Sequence, residues 1–417
     1  MSTNVTPIDV HADTWRRHLL TNDKDKIVKS SANVVCMLDR APEWRRVLVY
    51  NSFTDQIETV RPPPWRDEKG VAIGAWREED DARLVFHVER EFGFSLTASQ
   101  VHAAASNVAR RVVVNPVADW LKSLRWDATK RVDTWASAYL GAEATSYTSS
   151  VGRWLLVSAV ARAMTPGCKV DTVTVLEGPQ GQLKSSAVKA LFSPYFADTG
   201  LDMRSKDRFE SIRGVWCYEL AEMDGFKGAD AATLKSFLSS ATDTYRRPYA
   251  KGSSNIDRRC IFVGTTNKDN YLIDETGNRR FMPLRCGTID LVALARDREQ
   301  LFAEAYAMHE SGTPWWPTGE LADACRAEQA ERVQGDPWEP LIASWLASRP
   351  PSPVTVTDIL AGALKLDAAK MDRTAQIRVG KVMSALNTWT RKKAPRAEGQ
   401  SRGWHYVPVP LVPGATS

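Results

Sequence analysis

Several residue patterns that organise proteins are missing from this 417-residue sequence. It has only six cysteines, which form no C-x-x-C pair and lie near no histidine cluster. Zinc sites and disulfide-linked secreted domains depend on such spacings, so the sequence argues against both. The chain also lacks any apolar run approaching the roughly 20 residues of a membrane helix, and its first ten residues lack a basic-then-apolar layout. We therefore expect a cytoplasmic protein without membrane contact.

The composition is that of a globular protein, with 43% hydrophobic and 25% charged residues. Its length allows two or three domains. The net charge of +5 is uneven, because residues 351–417 contain ten lysines and arginines against four acids, a surplus of six. A localised basic surplus suits a polyanion such as nucleic acid, although a solvated basic face would give the same count.

Hydrophobic periodicity divides the chain into four regions. Residues 1–115 mix short strand-like runs with turns and predict a small α+β accessory domain. Residues 116–165 have apolar residues at helical spacing, which predicts a helical lead-in. Residues 166–335 alternate strands with helices, which indicates an α/β domain with a mostly parallel sheet. Residues 336–410 show three helices and then a basic hairpin, which is typical of a winged-helix-like domain.

The segment LEGPQGQLKSS, residues 176–186, matches the phosphate-binding pattern G-x-x-x-x-G-K-[ST] except that Leu183 replaces the second glycine. A strand-like run precedes it and a helical pattern follows, so its backbone N–H groups could cradle an anion at a helix N-terminus. Lys184 would reach the β- and γ-phosphates, and Ser185 would bind Mg²⁺. Leu183 can still donate its N–H if its φ is negative; a helix start after a Gly-Pro turn is the alternative interpretation. The predicted nucleotide-binding residues are Gly178, Pro179, Gln180, Gly181, Gln182, Leu183, Lys184, Ser185 and Ser186.

Downstream segments supply the other groups that an NTPase needs. In GVWCYELAEMD, Glu219 ends a strand-like run and Glu222 follows one turn further on, where a carboxylate on a neighbouring strand would support Mg²⁺ and polarise water. Asn267 ends a later strand and would orient the attacking water. An arginine pair before the next strand is suited to a finger that reaches a neighbouring subunit's γ-phosphate. The predicted catalytic residues are Lys184, Glu219, Glu222, Asn267, Arg279 and Arg280, and the predicted metal ligands are Ser185 and Glu219.

Long ordered blocks of the sequence resemble the virulence-associated protein E family, which is similar to superfamily 3 helicases and to phage or plasmid primase-helicases. The blocks are RWLLVSAVARAMTPGCKVDTVTVLEGPQGQLKSS, GVWCYELAEMD, LKSFLSSATDTYRRPYAKGSSNIDRRCIFVGTTN and YLIDETGNRRFMPL. The resemblance implies an AAA+-like P-loop ATPase core that uses ATP and Mg²⁺. It also implies a hexameric ring that moves along single-stranded or forked DNA during replication of a phage, plasmid or genomic island. The sequence departs from the family pattern at Leu183.

Two stretches are interpreted as nucleic-acid surfaces. In TDTYRRPYAKGSSNIDRRC, Gly252 supplies the turn of a hairpin, and in ring helicases of this type a lysine on such a loop grips a strand phosphate. Interleaved basic and aromatic residues around it, including Tyr245, would combine phosphate attraction with base stacking. Near the C-terminus, further cations would contact phosphates without reading sequence; a lid packed on the ATPase ring is the alternative. The predicted DNA contacts are Arg246, Arg247, Lys251, Arg391, Lys392 and Lys393.

Two finer predictions concern the ends of the chain. The segment REEDDAR, residues 77–83, is interpreted as a solvated turn, so the acidic metal cluster of a primase is not expected. The segment PVTVTDILAGAL predicts a helix capped by Thr357 or Asp358. The following helix is expected to use Ile377, Val382, Leu386 and Trp389 on its apolar face. An ATP-driven motor and a replication-initiator scaffold that binds nucleotide without efficient turnover both remain open.

Overall fold

The computed structural model describes residues 14–65, 73–203, 205, 208–221, 229–245, 252–272, 278–333, 336–386, 388–393 and 404–409. The chain divides into two compact units, Met1–Arg332 and Val333–Ser417. Within the described ranges, no helix combines the length and the hydrophobicity needed to cross a membrane. All six cysteines carry free thiols.

The first unit begins with a small mixed region. Its helices and strands are α1 (Ser31–Arg40), β1 (Leu48–Asn51), β2 (Gln56–Thr59), β3 (Gly74–Ala75), α2 (Glu78–Phe92), α3 (Ala98–Ala109) and β4 (Val113–Val114). The strands form a sheet in the order β3-β2-β1-β4, with β1 antiparallel to β2 and parallel to β4. Helices α1 and α3 cover a core that includes Trp44, Leu84 and Val101.

The expectation that REEDDAR is a solvated turn is wrong. The segment begins helix α2, whose first turn carries four acidic residues, and Asp80 and Asp81 are both buried. Asp81 Oδ1 accepts a 2.8 Å hydrogen bond from Trp76 Nε1, and His102 Nδ1 lies 3.0 Å from Asp81 Oδ2. The acids therefore stabilise a helix N-terminus, where negative charge is favourable.

A helical segment then leads into the central sheet, as the periodicity predicted. Its helices are α4 (Pro116–Ser123), α5 (Trp135–Leu140) and α6 (Ser146–Met164). The elements that follow are β5 (Val173–Glu177), α7 (Lys184–Phe192), β6 (Phe196–Ala197), α8 (Arg208–Ser211), β7 (Cys217–Ala221), α9 (Ala229–Ser239), β8 (Thr242–Tyr245), β9 (Ser254–Asp257), β10 (Ile261–Thr266), β11 (Phe281–Arg285), α10 (Leu291–Glu310) and α11 (Glu320–Glu331).

The central sheet is parallel, which confirms the α/β class. Its five strands lie in the order β11-β5-β10-β7-β6, and every neighbouring pair is parallel. Strand β5 is buried along its whole length, as expected where helices cover both faces of a sheet. Strand β10 lies between β5 and β7, so the acidic strand is not the immediate neighbour of the glycine loop. The carboxyl ends of β5, β10 and β7 meet at one edge, where open α/β sheets bind ligands.

The second unit has three helices followed by a hairpin, in the predicted order. They are α12 (Trp338–Ala347), α13 (Val356–Gly362), α14 (Arg373–Ala385), β12 (Trp389–Lys393) and β13 (Trp404–Pro408). Helix α13 is capped by Thr355, which forms a capping box with Asp358, so the predicted cap was two to three residues late. Ile377 is 54% exposed and Trp389 belongs to β12. The buried face of α14 is formed by Ala375, Val379, Val382 and Met383, so the prediction is confirmed at Val382.

Candidate functional site

The glycine loop joins β5 to α7, and three of its residues have positive φ. Gly178 has φ 147°, Gly181 has φ 84° and Leu183 has φ 61°. The condition that Leu183 keep a negative φ is therefore not met. Leu183 instead takes the left-handed conformation that glycine adopts without strain, at a cost of roughly 1–2 kcal/mol for a residue with a Cβ. Its side chain is 49% exposed, so packing does not explain its presence.

Lys184, the first residue of α7, is buried and points back into this loop. Its Nζ donates to Gly178 O at 2.7 Å, to Pro179 O at 2.8 Å and to Asn267 Oδ1 at 2.9 Å. An ammonium has three protons, so each has an acceptor. Burial lowers the pKa of Lys184, although the neighbouring Cys286 and Glu219 act in the opposite direction. The lysine thus links the glycine loop to the end of β10.

Glu219 and Ser185 meet beside the lysine. Ser185 Oγ donates to Glu219 Oε1 at 2.6 Å, and Thr265 Oγ1 donates to the same oxygen at 2.6 Å. Glu219 lies in the middle of β7 rather than at its end, and α7, which carries Ser185, packs against β7. Among the described residues, its buried Oε2 has no hydrogen-bond partner.

This oxygen set fits Mg²⁺. A hydroxyl and a carboxylate with a spare buried oxygen are the hard ligands that the ion takes from protein, with water and phosphate completing its shell. The parts of the chain that the structure describes contain no group of three or more His, Cys, Asp or Glu side chains that could hold a metal.

An open cavity of about 570 Å³ lies beside these groups. That volume is in the range of small-molecule sites. Most of its wall is the glycine loop and the start of α7, and the rest comes from the ends of β7 and β10. The lining residues are Gln180, Gly181, Gln182, Leu183, Lys184, Ser185, Ser186, Ala221, Thr265, Thr266, Asn267 and Lys268.

The two predicted finger arginines have different environments. Both belong to a short 3-10 turn, Asn278–Arg280, directly before β11. Arg280 is half-buried and its Nε donates to Ser239 Oγ at 2.8 Å, at the end of α9 of the same chain. Arg279 is exposed. Within one chain, therefore, the structure ties Arg280 to the domain and presents Arg279 to solvent.

Four predicted residues, Glu222, Arg246, Arg247 and Lys251, lie outside the described residues. Strands β8 and β9, which flank the last three, pair antiparallel with Tyr245 opposite Ser254, as a hairpin requires. Tyr245 itself is only 8% exposed, so its proposed use as a base-stacking surface is wrong.

The C-terminal cations lie on both faces of the β12–β13 hairpin. Lys393 is opposite Trp404, with its Nζ 5.2 Å from the ring centroid, and the Arg391 guanidinium lies 4.5 Å from that ring. Lys392 is opposite His405, on the other face because side chains alternate along a strand. All three cations are exposed.

Two contributors to the site were missed at the level of sequence. Thr265 could have been found, because it lies two residues before Asn267 and alternation places both on one face of β10. Glu177, the last residue of β5, is buried and forms a bidentate ion pair with Arg332 at 2.8 and 3.1 Å. Arg332 is 155 residues away from Glu177 in the sequence, so no local sequence pattern predicts this ion pair.

The geometry defines a mixed α/β protein with a ligand site at the carboxyl edge of a parallel sheet. The family model for the virulence-associated protein E-like domain matches residues 121–334, slightly more than half of the chain, and the chain belongs to this family. Comparison with curated proteins gave no match.

Solved structures of the NrS-1 C-terminal region resemble this chain at low sequence identity. The apo structure of residues 305–718 of that protein is 11% identical, with a TM-score of 0.43. An A-form apo structure is 12% identical, with a TM-score of 0.45. Each alignment covers 87% of this chain and 96% of the other.

Proposed function

We propose that this chain is an ATP-dependent, ring-forming DNA helicase or translocase-like replication protein of a phage, plasmid or genomic island. The observation that carries the proposal is the convergence of Lys184, Asn267 and the Ser185–Glu219 pair at the carboxyl edge of β5, β10 and β7. Membership of the virulence-associated protein E-like family supports the replication and mobile-element setting.

ATP phosphates would bind in the glycine loop. The N-terminus of α7 offers free N–H groups and a favourable dipole there. Lys184 now donates to two carbonyls and an amide, all neutral acceptors. A phosphate oxygen is a stronger, charged acceptor, so the β- and γ-phosphates would take over some of these bonds.

Ser185 and Glu219 would hold Mg²⁺, which when bound supplies charge neutralisation at the phosphates. Glu219 already accepts hydrogen bonds from two hydroxyl groups. It is therefore better suited to the coordination shell of Mg²⁺ than to removing a proton from water. Glu222 is then the proposed base for the attacking water. Asn267, hydrogen-bonded to Lys184, would hold that water beside the γ-phosphate.

The arginine pair supports the proposed ring. Arg280 is tied to Ser239 within its own chain, so we assign the finger that reaches a neighbouring subunit to Arg279. A head-to-tail ring gives every site such a neighbour. Single-stranded DNA would be held by Lys251, with Arg246 and Arg247, and the β12 cations would add phosphate contacts.

The deciding experiment is ATP hydrolysis with and without single-stranded DNA, measured on the wild type beside Lys184→Ala. The proposal requires turnover that DNA stimulates and that Lys184→Ala abolishes. Glu222→Gln should bind ATP but hydrolyse it slowly, because it retains the phosphate loop and loses the base.

The second candidate function is a replication-initiator scaffold that binds nucleotide without efficient turnover. It is favoured by Leu183, which has a strained, positive φ in the glycine loop. Glycine would adopt the same conformation without strain. The two functions separate in the same assay. The scaffold function is supported if the wild-type protein binds ATP in calorimetry but hydrolyses no ATP when DNA is present.

A further inference from the structure

The turn between β1 and β2, residues 52–55, packs on the central α/β region rather than on its own small sheet. Phe53 is buried in the same core as α6 and α7, with its ring 4.9 Å from that of Tyr195. Arg213, just before β7, donates from Nε to Thr54 O and from Nη2 to Asp55 O, both at 2.9 Å. The turn is thus fixed to the region that holds the nucleotide site.

The turn is itself firmly built. Asn51 Oδ1 accepts the N–H groups of Phe53 at 2.9 Å and Thr54 at 3.1 Å. Asp55 has φ 55°, a left-handed conformation that aspartate adopts more readily than most residues. On the other side, a Cβ at Gly214 would lie 3.2 Å from Thr54 Cγ2 and 3.4 Å from Thr54 Cα, so Gly214 packs closely on the turn. A strained residue persists where its surroundings determine its conformation.

Asp55 is buried, with 7% exposure, and its carboxylate joins two parts of the molecule. One oxygen accepts a hydrogen bond from the hydroxyl of Tyr50, on β1. The other accepts from the hydroxyl of Tyr245 at 3.0 Å. Tyr245 is the last residue of β8, so it immediately precedes the chain segment that contains Lys251. The Arg213 guanidinium also lies 5.8 Å from the centroid of the Tyr245 ring.

We propose that Asp55 is a positioning residue for DNA binding: through Tyr245 it fixes the end of β8 and thereby the base of the β8–β9 hairpin. The N-terminal α+β region would then support the DNA-binding element of the ATPase core. This inference rests on the proposed function, because it assigns the hairpin to single-stranded DNA.

A matched pair of variants tests the inference. Tyr245→Phe and Tyr50→Phe each remove one hydroxyl that donates to the same carboxylate, but only Tyr245 adjoins the hairpin segment. For Tyr245→Phe, the single-stranded DNA concentration that half-maximally stimulates ATP hydrolysis should rise about tenfold, the order of one charged hydrogen bond. Its unstimulated hydrolysis and ATP affinity should match the wild type. Tyr50→Phe should leave the DNA requirement unchanged.

Hydrogen exchange gives a second readout that needs no DNA. In Tyr245→Phe the β9 amides, Ser254–Asp257, should exchange faster while those of β5 do not, and in Tyr50→Phe the β9 amides should keep the wild-type rate. Equal shifts in both variants, or none in Tyr245→Phe, would overturn the inference. Wild-type protein without DNA-stimulated hydrolysis would sink the proposed function instead, and the exchange result would then decide whether Asp55 fixes the hairpin.

Discussion

Lys184 and Arg391 are both cations proposed to meet phosphates, yet their surroundings differ completely. Lys184 is buried and all of its protons have acceptors within one loop and one strand end. Arg391 is exposed and lies over the Trp404 ring. A buried cation in a fixed cradle selects one anion geometry, whereas an exposed one attracts any polyanion and is screened by salt. The difference in burial therefore distinguishes the proposed nucleotide contact of Lys184 from the proposed DNA contact of Arg391, although both residues carry the same charge.

Lys184→Ala should have the largest effect. Removing a preorganised positive donor from a transition state lowers turnover by at least about 100-fold. Lys189→Ala is the matched control, because Lys189 lies on the same helix, α7, but is exposed. ATP hydrolysis should fall to background in the first variant and match the wild type in the second. Equal rates of ATP hydrolysis in the two variants would contradict the assignment of a special role to the buried lysine.

The arginine pair allows the same comparison of an exposed with a more buried cation within one turn, because Arg279 is exposed and Arg280 is half-buried. Arg279→Ala should lower ATP hydrolysis about 1000-fold, at the lower end of the range for a missing finger, and leave ATP binding intact. Arg280→Ala loses the bond to Ser239 and should lower the free energy of unfolding by about 1 kcal/mol.

Mixing Arg279→Ala with Lys184→Ala subunits should restore some hydrolysis at interfaces that pair a wild-type loop with a wild-type finger. Loss of turnover in Arg280→Ala alone would reassign the finger.

Local patterns gave the elements of the site accurately. The helical pattern KSSAVKALF that follows the glycine loop is confirmed as α7, Lys184–Phe192. The hairpin of β8 and β9 and the parallel sheet also follow from turn residues and strand–helix alternation.

What the sequence could not give depends on contacts between distant residues. The insertion of β10 between β5 and β7 is a matter of lateral packing, which no single strand encodes. The burial of Asp81 depends on His102, 21 residues further along. The φ of Leu183 is set by the closure of the loop on Lys184 and not by the preference of leucine.

A smaller effect is expected at the exposed hairpin of the second unit. Arg391→Ala should weaken single-stranded DNA binding several-fold and reduce the slope of log affinity against log salt by about 0.7. Lys370→Ala, which removes an exposed cation from the turn before α14, is the control and should change neither quantity. Fluorescence anisotropy at several salt concentrations measures both. Identical losses in the two variants would mean that the hairpin contributes only net charge.

Leu183→Gly should have the smallest effect, and it tests what the buried cradle tolerates. Glycine removes the left-handed strain of roughly 1–2 kcal/mol, but it loses about 0.5–1 kcal/mol through greater freedom in the unfolded chain. The net gain in unfolding free energy should thus lie between about zero and about 1.5 kcal/mol. Leu183→Ala retains a Cβ at φ 61° and should gain nothing, since the leucine side chain is largely exposed. Thermal unfolding compares the two variants, and calorimetry follows ATP binding, which Leu183→Gly should preserve or strengthen. If neither the wild type nor Leu183→Gly binds ATP, the loop around Lys184 is closed to nucleotide, and its three hydrogen bonds serve only to hold β5, α7 and β10 together.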